Sequence, residues 1–309
     1  MKLTDPIFSD ENKARAHFER IRWPHGPVCP HCGEAEKVYR VTGKSARPGL
    51  IHCNACSGQF TVTTGGVMES SKIPLTKWAM GFYLYAASKK GFSANQLHRQ
   101  LGITYKSAWF MSHRIREAMA PAPGSEPPLG GEGKIVEADE AYIGKKDGPK
   151  GRKHPGAGGY GHKRTVLSLV ERGGKIRSFK MGGNSKAEIV SAIRANVDPA
   201  STLHTDGAPA YKFTLAVAAH EAVDHNKEYV REGNAGKVHT NTLEGFFSVF
   251  KRGMVGTYQH CGEQHLQRYL AEFDFRANNR VALGVNDEMR AERAIKGASG
   301  KRLMYQRAN

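Results

Sequence analysis

The sequence predicts an α/β protein built on a mixed sheet flanked by helices, preceded by a zinc ribbon and a helix-turn-helix. Three observations predict it. Four of the five cysteines fall in two CxxC pairs near the N-terminus, residues 92–119 read as two helices joined at a glycine, and residues 135 to about 280 alternate strand and helix patterns. Three strands followed by alternating units suggest a mixed sheet with helical cover.

Composition limits the classes. The 309 residues suffice for about two domains, and 39% hydrophobic content supports a packed core. Lys and Arg number 46 against 29 Asp and Glu, a formal charge of +17. Such an excess favours a polyanionic partner, usually nucleic acid, with an anionic membrane face as the competing reading. No apolar run reaches the ~20 residues of a spanning helix. The first residues, MKLTDPIFSDENKARAHFERIRWP, carry charges throughout and no signal-peptide core, so a cytoplasmic protein without a membrane partner is expected. Cysteines in such a chain point to metal or free thiols rather than disulfides.

The N-terminal segment, residues 1–66, holds Cys29, Cys32, Cys53 and Cys56 in CPHCG and CNACS, with twenty residues between the pairs. Two-residue spacing turns both thiolates of a pair onto one tetrahedral ion, and two such knuckles close the site. The implied ion is Zn²⁺, and four ligands leave no open position, so its role is structural. His31 and His52 sit beside ligands, but the cysteine set is complete without them. Cys261 has no activating neighbours in sequence and reads as a packing thiol.

Residues 72–120 read as helical and contain the helix-turn-helix, FSANQLHRQLGITYKSAWFMSHRIREAM. Ser93 caps a helix whose Leu97 and Leu101 face inward, Gly102 makes the turn, and Thr104 caps a second helix with Ala108, Met111 and Ile115 inward. Exposed Lys106, His113, Arg114 and Arg116 are the expected DNA contacts; an ordinary helical hairpin is the plainer alternative. Residues 121–134, PAPGSEPPLGGEGK, carry four Pro and four Gly and read as a linker.

The remaining domain, residues 135–285, opens with the strand KIVEADEAYIG. A hairpin follows, RTVLSLVERGGKIRSFKM, turning at Arg172, Gly173 and Gly174. NSKAEIVSAIRANV is a helix capped by Asn184 or Ser185, and STLHTDG a strand. PAYKFTLAVAA reads as helix and EAVDHNKEYV as strand. In VHTNTLEGFFSVFKR, residues 238–252, Leu243, Phe246, Phe247, Val249 and Phe250 mark the core face of a helix. At about 100° per residue, Asn241, Glu244, Ser248 and Lys251 share a separate stripe. A solvated face is the ordinary explanation for any one of them. Residues 286–309 read as a basic tail, with six Lys or Arg and one Glu from Met289 onward.

Two aspartates change the weight of that stripe. Asp139 lies inside the apolar strand IVEADEAYI and Asp206 ends TLHTDG. A charge in a strand interior is costly unless something compensates, and a metal ion is one compensation. A carboxylate cluster takes a hard ion such as Mg²⁺. Glu244 on the later helix completes a constellation.

Zinc ribbon, helix-turn-helix, VEADEAYIGKK, LHTDGAPAY and HTNTLEGFFSVFKRGMVGTYQH together resemble bacterial insertion-sequence transposases with a DDE active site, of the ISXO-like subgroup, over residues 15 to 285. The resemblance implies a ribonuclease-H-like core in which the first and fourth strands carry the aspartates. It implies catalytic carboxylates at Asp139, Asp206 and Glu244, holding Mg²⁺ or Mn²⁺, with Lys251 gripping a phosphate from the same helix. Some members of the subgroup use Asn as third ligand, so Asn241, one turn earlier, competes with Glu244. Glu137 shares a strand face with Asp139 and is a possible auxiliary ligand; Glu140 flanks it.

The function so implied is binding of double-stranded element ends, with strand cleavage and strand transfer into target DNA by a bacterial, nucleoid-associated protein that forms a homo-oligomer in its synaptic complex. The loop 144–164, which includes Lys145 and Lys146, carries seven Lys or Arg and either wraps DNA or is a solvated insert. The rival readings are a nuclease of the same fold and an inactive DNA-binding regulator.

Overall fold

The computed structural model describes residues 2, 4–145, 163–183, 185–208, 211, 217–224, 227–234 and 236–304. The chain divides into two units. One joins Met1–Pro121 to Asn279–Asn309; the other is Ala122–Asn278.

In the first unit, helix α1 (Glu11–Arg22) begins at Asp10, whose carboxylate accepts from the amides of Asn12 and Lys13. Strands β1 (Val38–Arg40), β2 (Ile51–Cys53) and β3 (Gln59–Phe60) pair antiparallel in that order. Three helices follow: α2 (Leu75–Ala87), α3 (Ala94–Leu101) and α4 (Tyr105–Met119). The helix-turn-helix is built as its residues predict. Ser93 and Thr104 cap α3 and α4 through their hydroxyls, and Gly102 adopts the left-handed conformation with φ 58° that ends α3.

The expected basic tail contains a helix, α8 (Asp287–Lys296), capped by Asn286, with Ala291, Ala294 and Ile295 buried. Counting cations hid it, because α8 buries arginine too. Arg290 is 7% exposed and donates to the carbonyls of Ala86, Asn279 and Val285 and to Asp287.

The second unit is a five-stranded sheet, ordered β6-β5-β4-β7-β8 among the described residues. Its strands are β4 (Ile135–Ile143), β5 (Arg164–Glu171), β6 (Ile176–Lys180), β7 (Thr202–Asp206) and β8 (Ala219–Val223). The β4, β5 and β6 strands are antiparallel neighbours, whereas β7 pairs parallel to β4 and β8 parallel to β7. In chain order this is 3-2-1-4-5 with strand 2 reversed, the ribonuclease-H-like arrangement. A small hairpin, β9 (Arg231–Gly233) and β10 (Gly236–Val238), leads into α6 (Asn241–Gly253).

Strand alternation sends the two faces of β4 into different cores. Val136 and Ala138 pack with Ile189 and Ile193 of helix α5 (Lys186–Asn196). Ala141 and Ile143 pack with Leu243, Phe247 and Phe250 of α6 and with Leu270 and Phe273 of α7 (Leu266–Asn278). Leu129, inside the stretch read as a linker, is 3% exposed in the α5 core, and its amide and carbonyl bond Asn196 and Asp198. Of the predicted helix at 209–219, residues 209, 210 and 212–216 lie outside the described residues, as does Asn184, while Ala219 opens β8 instead.

Helix α7 closes the sheet's β6 edge with side chains. The amides of Ile176, Ser178 and Lys180 donate to Asn278, Asp274 and Gln267 at 2.7, 2.7 and 2.8 Å. Asn278 and Gln267 return bonds to the carbonyls of Ile176 and Ser178. An open edge invites pairing with another chain, and these side chains occupy its bonding groups.

Candidate active site and zinc centre

The four cysteines converge. The sulfurs of Cys29, Cys32, Cys53 and Cys56 all lie within 4.8 Å of one another, with Cys29–Cys56 and Cys32–Cys53 at 3.7 Å. Four thiolates at about 2.3 Å from a tetrahedral Zn²⁺ stand about 3.8 Å apart, so the donor set and its spacing fit that ion. Local backbone shapes each knuckle. The Cys29 carbonyl accepts from Gly33, and the Cys53 amide donates to Gly58. Cys261 is 5% exposed and lies in the core under α6 and α7, as expected of a packing thiol.

In the second unit, Asp139 and Asp206 come together through register. The parallel pairing of β4 and β7 runs to Ala138↔Thr205, and each aspartate is the next residue of its strand. Asp139 faces the α6 side of the sheet. Burial, then the charge of Asp206, pushes its carboxyl up to about 7, with Glu140 and Glu244 adding to the rise and the Glu140 amide opposing it. The site therefore gathers more negative charge than the fold neutralises, in an all-oxygen donor set; this is the environment that a hard divalent cation compensates.

The α6 stripe is as read. Asn241, Glu244, Ser248 and Lys251 are exposed, while Leu243, Phe247 and Phe250 are buried. Of the two rivals for the third ligand, Glu244 carries a charge that adds to the rise at Asp139, whereas Asn241 is neutral.

Glu137 has a different employment from metal ligation. It is fully buried, and its carboxylate accepts from the amides of Thr242 and Leu243 at 3.0 and 3.4 Å and from the Thr242 hydroxyl at 2.9 Å. The same carboxylate pairs with Arg172 at 3.1 Å. It thus binds the exposed N–H groups of the first turn of α6, where a helix's dipole favours negative charge. Arg172 also reaches His204, His239 and the Lys237 carbonyl. Burial, then Arg172, brings His204 down to about 4, so it stays neutral beside that guanidinium. Glu140 points to the opposite face and accepts from the Tyr211 hydroxyl. The sequence signalled none of this, because Glu137 and Thr242 are 105 positions apart.

The expected DNA contacts of α4 need correction. His113 and Arg116 are 1% and 2% exposed, and the Arg116 guanidinium lies 5.4 Å from the Tyr85 ring centre. Arg114 is half-buried, stacked on Phe110 at 4.4 Å and bonded to the Glu69 carbonyl. The cause is that α4 is packed by α2, α3 and α8, so more than one face is interior. Tyr105 and Lys106, in its first turn, are exposed. Lys145 is exposed at the end of β4; Lys146 lies outside the described residues.

A ribonuclease-H-like sheet with paired aspartates on adjacent strands defines a class of proteins that process polynucleotides. The ISXO2-like transposase domain matches residues 128–278, and the transposase zinc-ribbon domain matches residues 9–59. The chain belongs to the ISXO2-like DDE transposases that carry an N-terminal zinc ribbon. No curated protein matches it. Among solved structures it is similar to the Mos1 strand transfer complex, at 14% identity and TM-score 0.26 over 70% of this chain and 73% of that one. A pre-cleavage Mos1 transpososome is similar at 12% identity and TM-score 0.21, over 67% and 75%. At those scores the strand order, not the likeness, carries the fold. Among the described residues no helix is long and apolar enough to cross a membrane.

Proposed function

We propose that this protein is an insertion-sequence transposase that binds double-stranded element ends and catalyses their cleavage and strand transfer with Mg²⁺ or Mn²⁺. The observation that carries the reading is the placement of Asp139 beside Asp206 by strand register, with the Asp139 carboxyl pushed up to about 7 by burial and by the charge of Asp206. Asp139, Asp206 and Glu244 would hold the metal, Glu244 rather than Asn241 because a charged carboxylate is the stronger donor for a hard divalent ion. The bound ions supply Lewis acidity at the reacting phosphate and an activated oxygen nucleophile. Lys251, on the Glu244 stripe and 7 residues on in sequence, neutralises a DNA phosphate beside the site. Glu137 and Arg172 hold the first turn of α6 and so fix where Glu244 stands.

DNA is held elsewhere as well. Lys106 with Tyr105 at the start of α4 offers a base- and phosphate-reaching turn, and the zinc ribbon adds a second module. The net charge of +17 supports a wide phosphate footprint. The test is a strand-transfer assay on the element's own terminal DNA with and without Mg²⁺. Cleavage joined to transfer is the expected result. Cleavage alone would make the protein a nuclease, and end binding with neither step would make it a regulator.

A further inference from the structure

A second site adjoins the carboxylates. The end of β4, the start of β5 and the segment after α6 enclose a cleft of about 570 Å³. Its floor is largely apolar, with Ile143 and Met254 8% and 9% exposed, and the buried Arg164 lies beside them. Its rim carries Lys145, Lys251, His260 and the amide of Gln259, and no carboxylate is among the described residues that line it.

The segment bearing Gln259 and His260 is held in a costly shape. The His260 amide donates to the Tyr258 carbonyl at 2.6 Å across Gln259, which has φ 58° and ψ −48°. That is a γ-turn of the rare, strained hand, in a residue with a side chain. It is pinned on both sides. The Tyr258 hydroxyl donates to Glu272, which is ion-paired to buried Arg276, and the carbonyl of buried Cys261 accepts from Arg164. Between the pins, Gln259 and His260 are exposed. Strain that the surroundings enforce, in a turn that aims two polar side chains over a cationic cleft, points to a ligand.

Size and position identify it. The volume falls within the roughly 300–1,000 Å³ of small-ligand sites, too small for a duplex. An apolar floor beneath lysines and an amide suits a base with its phosphate. Ile143 lies four residues past Asp139, about 13 Å at strand rise. Lys251 lies seven past Glu244, about 10 Å along the helix. At about 3.4 Å per nucleotide, this places the cleft up to about four nucleotides from the scissile phosphate.

Resting on the transposase reading, we propose that this cleft is a nucleotide subsite: it takes one unstacked nucleotide of the DNA end, its phosphate between Lys145 and Lys251 and its base edge read by Gln259. Unstacking next to the reacting phosphate would draw the strand out of the duplex and fix its register over the carboxylates.

The test uses the full chain and duplexes of the element's terminal sequence carrying 2-aminopurine at successive positions, whose fluorescence rises when the base leaves the stack. A several-fold rise at one position near the cleavage site is expected. Gln259→Gly keeps the turn, because glycine accepts the positive φ, and removes only the amide side chain. It should lose most of that rise with end affinity close to that of the unmodified chain; Lys251→Met should lose the rise together with part of the end affinity, because Lys251 also grips a phosphate. Uniform fluorescence while strand transfer proceeds would overturn the subsite and leave the transposase reading standing, as would a rise that both variants retain. Absence of strand transfer by the unmodified chain would overturn the parent reading and the subsite together.

Discussion

Glu137 of β4 caps the helix that carries Glu244: its carboxylate accepts from both the amide and the hydroxyl of Thr242, at 3.0 and 2.9 Å. Asp139 stands two residues along the same strand face. One strand therefore supplies a proposed metal ligand and also docks the element bearing another. The spacing between Asp139 and Glu244 is set by this junction rather than by the long chain that separates them.

Replacing Glu137 should accordingly affect the metal before it affects the DNA. Glu137→Gln keeps an acceptor but loses the charge that faces Arg172 and the helix's first turn. Strand transfer should drop by about 10–100-fold, the usual cost of disturbing a residue that orients metal ligands, and higher Mg²⁺ should restore part of it. Glu137→Ala leaves the partly exposed Arg172 guanidinium and the first-turn amides of α6 without their acceptor and should cost about 1–3 kcal/mol of stability. Titrating activity against Mg²⁺ checks this; a Glu137→Gln variant with an unshifted Mg²⁺ midpoint would contradict the positioning role.

The carboxylates themselves make the sharper test. Asp139→Ala and Asp206→Ala should each abolish cleavage and transfer with end binding nearly intact, since the DNA is gripped elsewhere. Several kcal/mol of lost transition-state stabilisation, at ~1.4 kcal/mol per tenfold, leaves rates below detection. Glu244→Gln should be as inactive, whereas Asn241→Ala keeps substantial activity. The reverse pattern would assign the third ligand to Asn241, and full activity in both aspartate variants would remove the transposase reading.

The first strands were legible because the sheet is covered on both faces, which writes β5 as a nearly continuous apolar run and β4 as an apolar run broken by carboxylates. Asp139 stood out for the same reason, as a charge inside such a run. The caps were legible too, since Ser93, Gly102, Thr104 and Ser185 act on their own neighbours. What the sequence hid depends on distant partners. Glu137 looked like a second ligand because alternation gives its face and not its hydrogen bonds. His113, Arg116 and Arg290 looked like surface cations because residue type cannot show that a helix is packed on several sides. The α7 side chains that close the β6 edge meet partners 87 to 102 positions away.

That edge is testable on its own. Asn278→Ala would leave the amide and carbonyl of Ile176 without their side-chain partner. A loss of about 1–3 kcal/mol is expected, read from the urea midpoint, together with faster aggregation. An unchanged midpoint would show that water replaces the side chain at no cost.

Zinc should govern the ribbon alone. Its strands contain two or three residues each and bury only Ile51 and Phe60 besides Cys53, so the ion supplies a large share of the folding energy, on the order of 10–16 kcal/mol. Chelation, or Cys53→Ser, should unfold residues 29–60 and weaken end recognition, while the second unit keeps its thermal transition. One zinc per chain by metal analysis is the companion result, and its absence would refute the assignment.

Stability in the absence of metal should depend on pH with a defined sign. Burial and the charge of Asp206 raise the Asp139 carboxyl from 3.8 to about 7. A raised carboxyl favours its protonated form in the fold, so its contribution to stability is complete below about 4 and is lost as pH climbs through 7. Buried His204, brought down to about 4, works in the opposite direction over part of that window, so the slope for the whole protein is a poor gauge. The difference between Asp139→Asn and the unmodified chain cancels the histidine. Asparagine keeps the shape and never ionises. Without metal, the variant's stability relative to the unmodified chain should therefore grow from pH 5 to pH 8, measured as the gap between urea midpoints. Saturating Mg²⁺ should shrink the gap at pH 8, because the cation compensates the ionised carboxylate in the unmodified chain and finds one ligand fewer in the variant. A gap that stays flat with pH would mean that Asp139 is not held protonated by its surroundings. A gap that grows with pH but ignores Mg²⁺ would mean that the strained charge at Asp139 is not there to bind a metal.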